Sequence, residues 1–133
     1  MYNKQYMADR TKILLVDDDE FLLDMYSVKF KETGYEVDIA SSGDEALEKI
    51  KRNPYPVILL DVVMPGLDGF EVLSQMRKDG LAKDSVVIIL SNLGQKEDIE
   101  RGLALGAHDY IIKAHFTPRE VVEKIQYHLG KKK

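Results

Sequence analysis

Cysteine is absent from the 133-residue chain, which excludes disulfides, thiolate chemistry and Cys-based zinc sites and fits a reducing compartment. No stretch approaches the ~18 or more continuous apolar residues of a membrane span. The opening "MYNKQYMADR" lacks the apolar run of a secretion signal. A basic excess is missing too: 19 Lys and Arg stand against 23 Asp and Glu, a formal net charge of -4. That balance argues against broad electrostatic capture of nucleic acid, and no direct contact with DNA is expected. The histidines, His108, His115 and His128, show no metal-ligand spacing and are expected at the surface or rim. No internal repeat, low-complexity linker or second domain interrupts the chain. What remains, 44% hydrophobic and 32% charged, is the composition of a globular protein with a core. The expectation is one cytoplasmic domain over residues 11–130. A flexible tail (1–10) and a basic tail (131–133) flank it.

Short apolar runs alternate with amphipathic stretches. "KILLV" (12–16), "EVDIA" (36–40), "PVILL" (56–60), "VVIIL" (86–90) and "HDYII" (108–112) read as strands. The third and fourth are apolar throughout, as in a parallel sheet covered on both faces, whereas "EVDIA" alternates and suits an edge. Leu22, Leu23, Tyr26 and Phe30 recur at helical spacing, with Gly34 placed to end that helix in a left-handed cap. "SGDE" (42–45), Asp68 with Glu71, and "TPRE" (117–120) read as capping boxes, with Pro118 at the first helical position. "QKEDIERGLAL" (95–105) supplies a helix with a highly charged exposed face. Strand and helix alternate five times, which predicts an α/β fold: a parallel sheet with helices on both sides and right-handed crossovers.

Chemistry collects at the strand ends. "VDDDE" follows the first strand, Asp61 the third, Ser91 the fourth and Lys113 the fifth. Ligands of open α/β sheets bind outside the carboxyl ends of the strands, near the point where strand order reverses. If strands one and three are adjacent, Asp17, Asp18 and Asp61 converge. Two carboxylates ~4 Å apart repel by about 4 kcal/mol at an effective dielectric near 20. A cluster of three takes up a proton or recruits a cation. All-oxygen ligands in a small site open to phosphate suit Mg²⁺ best. Lys113 adds a point charge towards phosphate and Ser91 a hydroxyl donor. Acids, metal, lysine and hydroxyl together make a phosphoryl-transfer site in which a carboxylate attacks.

With "ILLVDDDE", "VILLDVVMPGLDGFEVL", "VVIILSN" and "GAHDYIIK" in this order, the sequence resembles the receiver domain of two-component response regulators, in its stand-alone, chemotaxis-type form. The likeness runs from Thr11 to Leu129. It implies a doubly wound, flavodoxin-like five-stranded fold with strand order 2-1-3-4-5. It also implies that Asp61 takes a phosphoryl group from a histidine kinase or phosphotransfer protein. Asp18 and Asp61 would bind Mg²⁺ directly, the backbone carbonyl of Val63 would be the third protein ligand, and Asp17 would act through water. Lys113 would pair with the phosphoryl group and Ser91 would hydrogen-bond it. Tyr110 would be an aromatic switch. The fourth helix, fifth strand and fifth helix would form the output surface towards a downstream protein, and could pair two phosphorylated copies.

Two positions depart from the family pattern. Ala114 stands where proline after a cis bond is usual, and Asn92 where a small residue commonly follows the hydroxyl. A cis Lys113–Ala114 peptide would cost ~3–4 kcal/mol, so a trans bond is expected. Blander roles compete residue by residue. Asp19 or Asp18 is expected to cap the first helix and Asp68 the third. Met64-Pro65-Gly66 is turn chemistry, and Tyr110 alone reads as half-buried packing with its hydroxyl at the rim. Two other functions are compatible with the acids: a Mg²⁺-dependent phosphohydrolase with Asp61 as nucleophile, and a receiver-like docking module that is never phosphorylated. Against the first, Val63 occupies the position two beyond Asp61, where leaving-group chemistry needs an acid.

Overall fold

The computed structural model describes residues 10–132. Apart from Arg10, the expected N-terminal tail lies outside them, as does Lys133. Among the described residues are five strands: β1 (Lys12–Val16), β2 (Glu36–Ala40), β3 (Val57–Leu60), β4 (Val86–Ser91) and β5 (Asp109–Ile112). They alternate with α1 (Glu20–Thr33), α2 (Gly43–Arg52), α3 (Gly69–Lys78), α4 (Lys96–Ala104) and α5 (Pro118–Lys132). A 3-10 turn, Lys113–His115, joins β5 to α5. The last helix therefore continues through Lys132, past the point where the basic tail is expected to begin. Strand limits shift by a residue from expectation: β3 starts at Val57, β5 at Asp109, and β4 extends to include Ser91.

All pairings are parallel, in the order β2-β1-β3-β4-β5. The chain lays β2 on one side of β1 and then returns to lay β3 on the other, so strand order reverses between β1 and β3. Successive side chains of a strand point to opposite faces, and both faces are covered. Leu14 and Val16 join Ile58, Leu60, Val87 and Ile89 beneath α2 and α3. Ile13 and Leu15 join Val57, Leu59, Ile88 and Leu90 beneath α1 and α5. This double covering explains why β3 and β4 are apolar at every position.

Helix ends follow the local chemistry. Asp19 caps α1, accepting from the Phe21 and Leu22 amides, and Gly34 closes that helix at φ 105°. Asp68 with Glu71 and Thr117 with Glu120 form reciprocal capping boxes. The "SGDE" box is only half as expected. Ser42 caps the Glu45 amide at 3.1 Å, but Glu45 reaches back to the amide and hydroxyl of Ser41, not to the Ser42 amide.

Candidate functional site

Register decides which side chains meet. Val16 pairs with Leu60, Leu60 with Ile89 and Ser91 with Ile112. Asp17 and Asp61 are each one residue beyond that Val16–Leu60 rung, on neighbouring strand ends, and Lys113 is one beyond the Ser91–Ile112 rung. The sheet ladder continues into the site: the Asp61 amide donates to the Val16 carbonyl and the Asp17 amide to that of Ala40. A close approach also shapes it. A Cβ on Gly69, the first residue of α3, would lie 2.2 Å from the Asp61 carbonyl oxygen. Only glycine lets α3 start so near the end of β3, holding the 61–69 loop tight against the strand.

Asp17 is 3% and Asp61 5% exposed, while Asp18 is open to solvent. One carboxylate oxygen from each of the three lies within 4.8 Å of the others. The lysine crosses to both buried acids: Lys113 Nζ is 2.6 Å from Asp17 Oδ2 and 3.0 Å from Asp61 Oδ2. Their remaining oxygens are also held. Asp17 Oδ1 accepts from the Asp19 amide and Asp61 Oδ1 from the Val63 amide. Burial pushes the Asp17 carboxyl above its usual value, outweighing the opposing hydrogen bond from Lys113. For Lys113 burial acts to lower the value, yet the Asp17 hydrogen bond and the Asp61 charge win, and the ammonium is held above the ordinary lysine range. An all-oxygen acid group with one exposed member has the donor set for a small divalent cation.

Ser91 is fully buried at the end of β4, and its hydroxyl accepts from the Leu93 amide at 3.2 Å. Tyr110 is half-buried. Its ring packs against the core layer under α3, and its hydroxyl donates to the Leu93 carbonyl. Burial first, then the charges of Asp98 and Asp61, push that phenol up to about 12. Val63 presents a 56% exposed side chain at the rim. The described residues contain no cis peptide, so Lys113–Ala114 is trans.

Two contacts are not anticipated by the sequence. Asn92 Oδ1 accepts from the Ala114 amide at 3.0 Å, tying the residue after Ser91 to the residue after Lys113. The signal available was chemical: alanine at 114 carries an N–H that proline lacks. His128 is held at 2.8 Å from Asp109, with Lys124 at 3.8 Å from the same oxygen. It sits in a polar pairing between α5 and β5, away from the acids.

The chain is similar to known proteins in sequence and in fold. The family model described as the response regulator receiver domain matches residues 13–126. The chain is 38% identical over 119 residues to the transcriptional regulatory protein ResD of Bacillus subtilis, covering 90% of this chain and 48% of that one. The alkaline phosphatase synthesis transcriptional regulatory protein PhoP of the same organism is 39% identical, over 86% of this chain and 47% of its own length. The chain thus spans about half the length of these curated relatives. Among solved structures, the receiver domain of the Francisella response regulator 1452 superposes with a TM-score of 0.85 at 35% identity, over 93% of this chain and 100% of that one. A CheY-like receiver domain protein of Methanospirillum hungatei gives 0.86 at 31% identity, over 93% and 97%.

Proposed function

The chain belongs to the response regulator receiver domain family, a family of signalling domains, and from that premise we propose that Asp61 is its phosphoacceptor. One observation carries the assignment. The acids 17, 18 and 61 meet within 4.8 Å at the sheet's switch point, with the Lys113 amine on both buried members.

A carboxylate oxygen of Asp61 attacks the phosphorus of a phosphohistidine or a small acyl phosphate. The bond from phosphorus to the donor nitrogen or oxygen breaks, its electron pair leaves with the donor, and an imidazole donor takes up a proton. Asp18, Asp61 and the Val63 carbonyl would hold Mg²⁺, with Asp17 acting through water, and the ion would supply charge neutralisation at the phosphoryl oxygens. Lys113, already pinned by two carboxylates, turns its positive charge to those oxygens as Asp61 becomes an acyl phosphate, a mixed anhydride. The Ser91 hydroxyl donates to them, drawing the end of β4 inward. Tyr110, bonded one loop away to Leu93, follows that movement and changes the face built by α4, β5 and α5. A downstream protein reads this face, and two phosphorylated copies can pair through it. The domain catalyses its own phosphorylation and dephosphorylation without acting as a turnover enzyme, and the reaction belongs in the cytoplasm.

Intact mass after incubation with an acyl phosphate and Mg²⁺ tests the acceptor. The parent gains one phosphoryl group and Asp61→Asn gains none; equal labelling of both would refute the assignment. A phosphohydrolase reading has no support at the position where it needs an acid, since Val63 stands there.

A further inference from the structure

The 3-10 turn that carries Lys113 begins where the β4–β5 ladder stops. Ser91 pairs with Ile112 as the last rung. Beyond it the turn has no side-chain cap from its own leading residue, Ile112, and its internal backbone bond runs from the Phe116 amide to the Lys113 carbonyl at 3.3 Å. The first amides of a helical turn are orphan donors that need outside acceptors. The Ala114 amide finds one across the strand boundary, in Asn92 Oδ1 at 3.0 Å. Asn92 therefore adds a side-chain rung after the last backbone rung. Its neighbour Ser91 is the buried hydroxyl, and Ala114's neighbour Lys113 is the ammonium on Asp17 and Asp61.

We propose that Asn92 is a positioning residue for phosphoryl transfer: its carboxamide clamps the Lys113–Ala114 peptide to the end of β4. The clamp aims the Lys113 amine over Asp61 and makes Lys113 and Ser91 move as one unit. Asn92 itself is exposed. The inference rests on Asp61 being the acceptor.

Two readouts test it. In metal-free protein, hydrogen exchange at the Ala114 amide is followed by NMR in the parent, Asn92→Ala and Asn92→Asp. Labelling of Asp61 by an acyl phosphate with Mg²⁺ is then followed by intact mass over a range of donor concentrations. Asn92→Ala is expected to expose the Ala114 amide and to slow labelling at saturation about fivefold, the worth of one ordinary hydrogen bond. The half-saturating donor concentration stays put. Asn92→Asp keeps the acceptor and restores both protection and most of the rate. Because proline has no N–H, Asn92→Ala has no further effect on rate in an Ala114→Pro background. Unchanged Ala114 exchange, a parental rate in Asn92→Ala, or equal losses in both backgrounds would each overturn the clamp while leaving Asp61 as acceptor. An unlabelled parent, or a labelled Asp61→Asn, removes the acceptor reading and the clamp with it.

Discussion

Asp17, Asp61 and Lys113 set two carboxylates against one ammonium, so the nearly closed group carries one net negative charge in its ionised form. Burial raises the Asp17 carboxyl above its ordinary 3.8 despite a 2.6 Å bond to the lysine. A raised value means that the folded chain holds this proton more tightly than the unfolded one. The stability it contributes is fully present below pH 3.8 and is lost as pH rises through the folded value. An asparagine at 17 never titrates and leaves Lys113 paired with Asp61. Asp17→Asn is therefore expected to unfold at a higher temperature than the parent in metal-free buffer near neutrality. Its advantage shrinks as pH falls towards about 4. Thermal unfolding followed by circular dichroism checks this, and a parent as stable as the variant at every pH would contradict it. The positions of Asp17, Asp61 and Lys113 could be read in advance because each directly follows a short apolar run. The Asn92 contact could not. It joins a side chain to a backbone amide 22 residues away, which leaves no periodicity in the sequence.

Among the helices α4 is the one least anchored by its own side chains. Its charged sequence buries Gly102 and no large apolar group. A Cβ there would come within 2.5 Å of Ile89 and 3.0 Å of the Tyr110 ring, so the missing side chain lets the helix lie close on both. Neighbours supply what α4 lacks. Arg101 places its guanidinium 4.3 Å from the centre of the Phe70 ring of α3. Arg77 of α3 donates to the carbonyls of Leu105 at 3.3 Å and Gly106 at 2.8 Å, capping the negative end of α4. Elements with few buried apolar contacts open at low free energy, a useful property for the face we propose to change on phosphorylation. Arg77→Ala should cost about 1 kcal/mol. It should also speed hydrogen exchange at α4 amides while leaving α1 and α5 as they were; uniform acceleration in all helices would show that Arg77 does not act on α4 selectively. Both helices, and the Asp68–Glu71 cap of α3, were legible from spacing. Arg77's role was not, because its acceptors lie 28 and 29 residues downstream and are brought close only by the β4 crossover.

At the scale of the whole molecule, alternating runs fix a doubly wound sheet, and reversal of strand order between β1 and β3 places the acids side by side. That placement works against folding, since the sheet closes only by bringing like charges together. A dication bound by the folded chain alone reverses the cost, stabilising it by about 2.7 kcal/mol at a hundred times its dissociation constant, or roughly 10 °C in Tm for a domain of this size. Asp18 separates this effect from ordinary folding energetics. It is exposed, so neutralising it should change metal-free stability by no more than about 0.5 kcal/mol. It is also the member of the acid group with an open approach from solvent. Parent and Asp18→Asn should therefore melt together in chelator and part company as Mg²⁺ is added. The parent's Tm climbs with the logarithm of ion concentration, while the variant's stays nearly flat. Parallel climbs would place the cation away from Asp18. A gap already present in chelator would mean that Asp18 supports the fold itself, and the acid cluster would then owe its form to packing more than to the ion.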